Sequence, residues 1–227
     1  MYSHFAGKRG SPAQLIHWSP ELRGQFKTCV RRNCGLEGVR VTNLRAAKHR
    51  FESLQKPMGR ACWLMRGFLR FIIMLAVQLN HEASRHALVF LAWITFRKYI
   101  LAGMMADLSD EVSLLTRFGD VEDIPTEEMT HKLSLFLSRL NWLVGTQLGI
   151  LQQGYTKYVI DTLTQHPVVW VVGNKAAQLG SAAGPLQADL DWCVDIIRGC
   201  ARLMIAEVKC EFPFFEVAQA LQHDLVC

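Results

Sequence analysis

The residues nearest to a chemical signature are the histidines and glutamate of His81-Glu82-Ala83-Ser84-Arg85-His86. A zinc site on a helix needs two histidines four apart, so that both rings reach one ion. Here they are five apart, and at helical pitch the side chains diverge by about 140°. The stretch therefore reads as a surface turn. Acidic residues crowd one region, with Asp107, Asp110, Glu111, Asp120, Glu122, Asp123, Glu127 and Glu128 set against Arg117 alone. None meets a histidine at a spacing suited to a metal or to acid/base work. Phosphate loops, dinucleotide fingerprints and nucleophile elbows are all missing from the sequence.

The seven cysteines show no C-x-x-C or zinc spacing. Cys29 and Cys34 are five apart in a polar segment, and Cys193 and Cys200 lie two helical turns apart, too far to bridge within one helix. They read as reduced, mostly buried thiols in an intracellular compartment. The ending Asp224-Leu225-Val226-Cys227 matches neither a prenylation box nor a peroxisomal tripeptide address. No residue recommends itself as a catalyst, no cofactor or metal is implied, and the chain is expected not to be an enzyme.

What the sequence does offer is basic residues set inside apolar runs. Residues 61–79 and 87–105 are each about the length of a membrane span, which needs roughly 20 mostly apolar residues. Arg66 and Arg70 interrupt the first, and Arg97 and Lys98 the second. A basic residue at the centre of a spanning helix costs about 2.5 to 3.5 kcal/mol on insertion scales, so neither run is a clean span. Drawn as a helical hairpin turning near Ala83, the runs put Arg70 and Arg97 at one level, roughly 20 Å from the tip. Two readings remain open. One is a short membrane hairpin with Arg70, Arg97 and Lys98 reaching lipid phosphates, and the other is the buried centre of a helical bundle whose basic groups find acidic partners. Arg66, Arg70, Arg97 and Lys98 are the candidate lipid-binding residues.

Charge is divided along the chain. Through Arg70 there are fourteen Lys or Arg against three Asp or Glu, and beyond it eleven against seventeen, which leaves the net charge at +5. Half of the residues are apolar and mean hydropathy is slightly positive. That balance suits a membrane-associated protein with few spans, or one buried among partners. In 227 residues there is room for one large domain or two small ones.

In chain order, residues 1–57 are expected to be an extended basic arm, rich in turn formers, closing with a basic helix over 41–55 that Pro57 interrupts. Such an arm must lie on something, because alone it could not offset its conformational entropy. Its thin aromatic content (Tyr2, Phe5, Trp18, Phe26) makes nucleic acid an unfavoured partner. Residues 58–160 hold the apolar hairpin, an acidic connector with a short helix over 109–118, and a long helix over 126–153. The connector could neutralise the arm. Within the long helix, Gly145 and Gly149 form a G-x-x-x-G element, which lets a second helix approach closely. Residues 161–227 begin at the break His166-Pro167. An apolar run over 168–173, with no second strand evident, is expected to be helix or extended buried segment. An amphipathic helix over 186–209 follows, then a last short helix after Pro213.

The run Phe96-Arg97-Lys98-Tyr99-Ile100-Leu101-Ala102-Gly103-Met104-Met105, the acidic helix after it and Leu137-Ser138-Arg139-Leu140-Asn141-Trp142-Leu143 together resemble, over about residues 90–155, the peroxin-eleven family of peroxisomal membrane-elongating proteins. The resemblance implies a basic amphipathic helix entering one leaflet, with Arg97, Lys98 and Tyr99 at the lipid surface. It also implies the peroxisomal membrane as an alternative location.

The expected fold is all-α: a membrane-associated helical bundle with a central helical hairpin and an extended basic N-terminal arm. The leading expectation for function is a non-catalytic accessory subunit of a multi-subunit complex in the mitochondrial inner membrane, of the respiratory or ATP synthase kind. Other subunits and anionic phospholipid would be its partners. The alternatives are a peroxin-eleven type membrane-remodelling protein and a peripheral RNA-contacting protein of an organellar ribosome.

Overall fold

Two Ser-Pro steps set the start of the fold. Ser11 precedes Pro12 and Ser19 precedes Pro20, and proline at the first helical position loses no hydrogen bond while presetting φ. They begin α1 (Pro12–Trp18) and α2 (Pro20–Cys34), and the Leu22 amide donates to Ser19 Oγ at 3.2 Å as a helix cap. The structure is a computed structural model that describes residues 4–5, 10–35, 44, 55–78, 82–119, 124–172 and 175–212. The expected basic helix falls almost wholly outside these residues, as do His81 and the expected last helix.

Along α2, Leu22, Phe26, Cys29 and Val30 are buried, a stripe at helical spacing. That stripe packs on α4 (Met65–Val77), and Gly35, at φ 63°, ends the helix in the left-handed region. The expectation of an extended arm is thus corrected over 12–34. The arm's few apolar residues fall on one helical face, and that face docks on the chain's own core.

The apolar stretch is also cut more finely than a hairpin. It forms α3 (Gln55–Trp63), α4, α5 (Glu82–Trp93) and α6 (Phe96–Gly119). Pro57 falls within α3, and the residues just before Gln55, where the basic helix was expected to end, lie outside the described ones. α4 and α5 pack antiparallel, with Phe68 against Phe90 and the Ser84 hydroxyl donating to the Ala76 carbonyl at 3.1 Å. α5 and α6 then meet at 93° across Ile94 and Thr95. Ile94 is buried at this corner, and Thr95 Oγ1 accepts the Lys98 amide at 3.4 Å to start α6. Among the described residues no single helix is long and apolar enough to cross a membrane, and only the bent pair α5 and α6 passes that test together.

α6 is the central post, packed against α3, α7 (Thr126–Val144), α8 (Gly154–Gln165) and α9 (Gln187–Glu211). Gly103 permits the approach of α8: a Cβ there would stand 2.9 Å from Thr156 Cα. The short helix expected over 109–118 is part of the second half of α6, and Asp107 is buried inside that helix.

α7 stops at Val144, and a 3-10 turn (Gly149–Leu151) separates it from α8, so the long helix expected over 126–153 is two pieces. After α8, β1 (Val168–Val172) pairs antiparallel with β2 (Lys175–Leu179), with Trp170 opposite Ala177. Over 168–172 this corrects the helix reading and supplies the second strand that the sequence does not make evident. Trp170 turns inward while Val169 and Val171 face out, as strand alternation requires. α9 lies where the amphipathic helix was expected, with Cys193, Val194, Ile197, Ala201 and Val208 on its buried side. The buried residues form one continuous cluster from Phe5 to Val208, so all three expected segments share a core.

Candidate functional site

The basic residues of the two apolar runs go to different places. Arg97 turns toward α9, with its guanidinium 3.9 Å from Asp189 and 4.9 Å above the Trp192 ring. Lys98 donates to the Trp93 carbonyl at 2.6 Å and sits 4.8 Å from that indole's centre. Both cations are satisfied within the fold. The idea of one basic level shared by Arg70 and Arg97 fails at the Ile94-Thr95 corner, which takes α6 away from the axis of α5. Asp189 is the anion beside Arg97.

Arg66 and Arg70 lie one turn apart on the exposed side of α4, next to α2. The two helices run antiparallel and very close. Gly67 meets Val30, where a Cβ would come within 2.6 Å of the valine Cα, and Phe26 lies edge-on to Phe71 at 5.5 Å. Cys34 fastens the end of the pair: it accepts the Gly67 amide at 3.4 Å and its thiol faces the Leu64 carbonyl at 3.7 Å. This close packing leaves a groove of about 790 Å³ along the outside of the pair. Arg32 and Arg70 stand toward one end, Ile73, Met74 and Val77 line the α4 side, and Gly24 opens the α2 side. The Cys29 thiol on the wall is pushed up by burial, while Arg70 and Arg32 pull it back down. Both guanidiniums therefore act on one point of the wall. Among the described residues Arg32, Arg66 and Arg70 have no ion pair or hydrogen bond. Arg32 and Gly24 are the residues that sequence reasoning missed. The stripe of Leu22, Phe26, Cys29 and Val30 could have revealed them, because it fixes which α2 residues flank the seam.

Gly145 and Gly149 are not on one helix. Gly145 caps α7, and a Cβ there would come within 2.3 Å of the Asn141 carbonyl oxygen, while a Cβ on Gly149 would meet the Trp142 ring at 2.5 Å. Their smallness serves a tight turn. α9 does reach that turn, but through Arg198, which donates to the carbonyls of Val144 at 2.8 Å and Gly145 at 3.2 Å.

The acidic residues of α6 are structural partners. Asp107 accepts the amides of Tyr155 and Thr156 at 2.7 and 2.9 Å and the Thr156 hydroxyl at 2.6 Å. Burial pushes this carboxyl up, and the bonds from Thr156 and Tyr155 draw it part of the way back. Glu111 takes Arg139 at 2.9 Å, and the same guanidinium lies 4.4 Å from the Trp142 ring centre. Asp110 is pushed up to about 6 by burial and by its neighbours Asp107 and Glu111. Tyr99 is fully buried, donating to the Ala61 carbonyl at 2.8 Å. The place at a lipid surface that the peroxin-eleven resemblance implies for it does not hold. Among the described residues no three of His, Cys, Asp and Glu gather as metal ligands.

No family model, curated protein or solved structure matches this chain.

Proposed function

We propose that the chain is a non-catalytic accessory subunit of a multi-subunit assembly in the mitochondrial inner membrane, resting on the bilayer surface through its α2 and α4 face. The observation that carries this reading is a division of labour among basic residues. Arg97 and Lys98 are satisfied internally, whereas Arg32, Arg66 and Arg70 stand on one face with no partner among the described residues. Exposed guanidiniums beside an apolar groove suit a surface rich in phosphates.

Native fractionation tests it. The chain should sediment with mitochondrial inner membranes and migrate, after mild detergent, in a complex far larger than its own 25.7 kDa. A single monomeric species that stays soluble without detergent would sink the reading. Recovery with peroxisomal membranes would move the chain to the peroxin-eleven alternative, and salt-sensitive recovery with ribosomal RNA to the ribosomal one.

A further inference from the structure

We infer that the groove between α2 and α4 is a site for one molecule of anionic phospholipid, its phosphate held by Arg32 and Arg70 and one acyl chain lying along Ile73, Met74 and Val77. This rests on the proposed membrane-surface role and names the ligand of that face.

The groove has two chemically different ends. α2 presents Glu21, Gly24, Gln25, Thr28 and Arg32 to it, successive turns of one helical face. Because α2 and α4 run antiparallel, Arg32 and Arg70 fall toward the end near Gly67, and Pro20, Glu21 and Val77 toward the other. From Glu21 to Arg32 the rise along α2 is roughly 16 Å, so the acidic residue stands far from the basic pair. The basic pair is thereby held at one end, away from Glu21, with Ile73, Met74 and Val77 running from it along the α4 side.

Charge and shape argue for the same occupant. Guanidiniums bind phosphate through paired N–H groups, and two of them here have no partner among the described residues. A free inorganic phosphate would use that end and leave the apolar floor unused. A fatty tail would use the floor and leave the arginines unpaired. A phospholipid uses both. Gly24 lines the channel beside open space: nothing lies within 4 Å of where its Cβ would be. Its absent side chain is not required for packing, and it is free to serve as space.

The full chain should be titrated with dioctanoyl phosphatidylglycerol and, separately, with dioctanoyl phosphatidylcholine and inorganic phosphate, followed by native mass spectrometry and calorimetry. The expected result is saturable binding of one phosphatidylglycerol, about tenfold or more tighter than phosphatidylcholine, with phosphate a poor competitor. Arg32→Glu with Arg70→Glu should weaken it about tenfold or more. Gly24→Trp, which fills the channel without touching either arginine, should weaken it comparably while the thermal melt stays intact. Equal affinity in wild type and both variants overturns the site, and phosphate binding as tight as the lipid overturns the lipid in favour of a bare anion. Flotation with phosphatidylglycerol vesicles separates this from the wider reading. Wild type and variants floating alike removes only the groove, whereas no flotation by any of them removes the membrane-surface role as well.

Discussion

The Asp107 carboxylate on α6 receives the Thr156 hydroxyl at 2.6 Å and that residue's amide at 2.9 Å, so the first turn of α8 is capped by another helix. The N-terminal amides of a helix have no partner of their own, and a local side chain usually supplies one. Here α8 begins at Gly154, at φ 79°, and a Cβ on that glycine would stand within 2.2 Å of the Asp107 carboxylate oxygen. Capping and the absence of a side chain are therefore one device.

Replacing Asp107 by alanine should lower stability by about 2 to 3 kcal/mol, since it strands two amides and a hydroxyl in a buried place. Asn, which keeps one acceptor, should lose less. Urea denaturation of the two variants decides this. A loss under about 0.5 kcal/mol for alanine, the range of an ordinary surface change, would show that α8 does not depend on the cap.

Asp110 sets a pH dependence of known sign. Its folded carboxyl is pushed up to about 6, chiefly by burial and then by Asp107 and Glu111, above its unfolded value. The folded state thus binds this proton more tightly, and stability falls as pH rises from about 4 to about 7. The urea midpoint of wild type should drop relative to that of Asp110→Asn across this window. Parallel curves for the two proteins would contradict the assignment.

Two glycines should respond in opposite directions. Gly67→Ala drives a methyl into Val30 across the seam, where the Cβ would lie 2.6 Å from the valine Cα, and should destabilise by about 1 to 3 kcal/mol. Gly24→Ala meets open space in a helix interior and should stabilise by about 0.5 to 1 kcal/mol. Thermal melts of the pair would expose an error in the α2 and α4 packing if both changed in the same sense.

Thiol labelling should separate the cysteines by burial. Cys62 is fully buried, and Cys193, whose thiol donates to the Arg97 carbonyl at 3.2 Å, is pushed up to about 12 by burial first and Asp189 second. Neither should react with iodoacetamide in the folded chain at pH 8, whereas exposed Cys210 should. Peptide mapping by mass spectrometry reads this out, and early labelling of Cys62 would dispute the packing of α3 on α6.

Legibility in the sequence followed the clarity of the periodic signal. α9 was readable because its apolar positions recur at helical spacing between polar ones, with acids early and bases late. α2 carries the same kind of stripe, but in a polar, basic setting that reads as a solvated arm. The corner at Ile94-Thr95 was hidden for the opposite reason. It lies in a largely apolar run, where neither periodicity nor Gly or Pro marks a turn. β2 escaped because Lys-Ala-Ala-Gln-Leu has no β-branched or aromatic residue, so its pairing depends on β1. Arg66 and Arg70 stood out as charges in apolar company. Arg32 and Gly24 acquire meaning only once α2 is laid against α4, a tertiary fact that no single segment contains.

The right-angle corner between α5 and α6 has a consequence for how this chain is made. On the ribosome, residues 87–105 emerge as one largely apolar stretch about as long as a membrane span, with Arg97 and Lys98 near its middle. Once folded, they are two short pieces turned across each other, with Phe90, Leu91, Ile94 and Tyr99 to Met104 sealed inside. A linear reading of this segment and a reading of the folded surface therefore describe two different proteins, and only the corner at Ile94-Thr95 separates them.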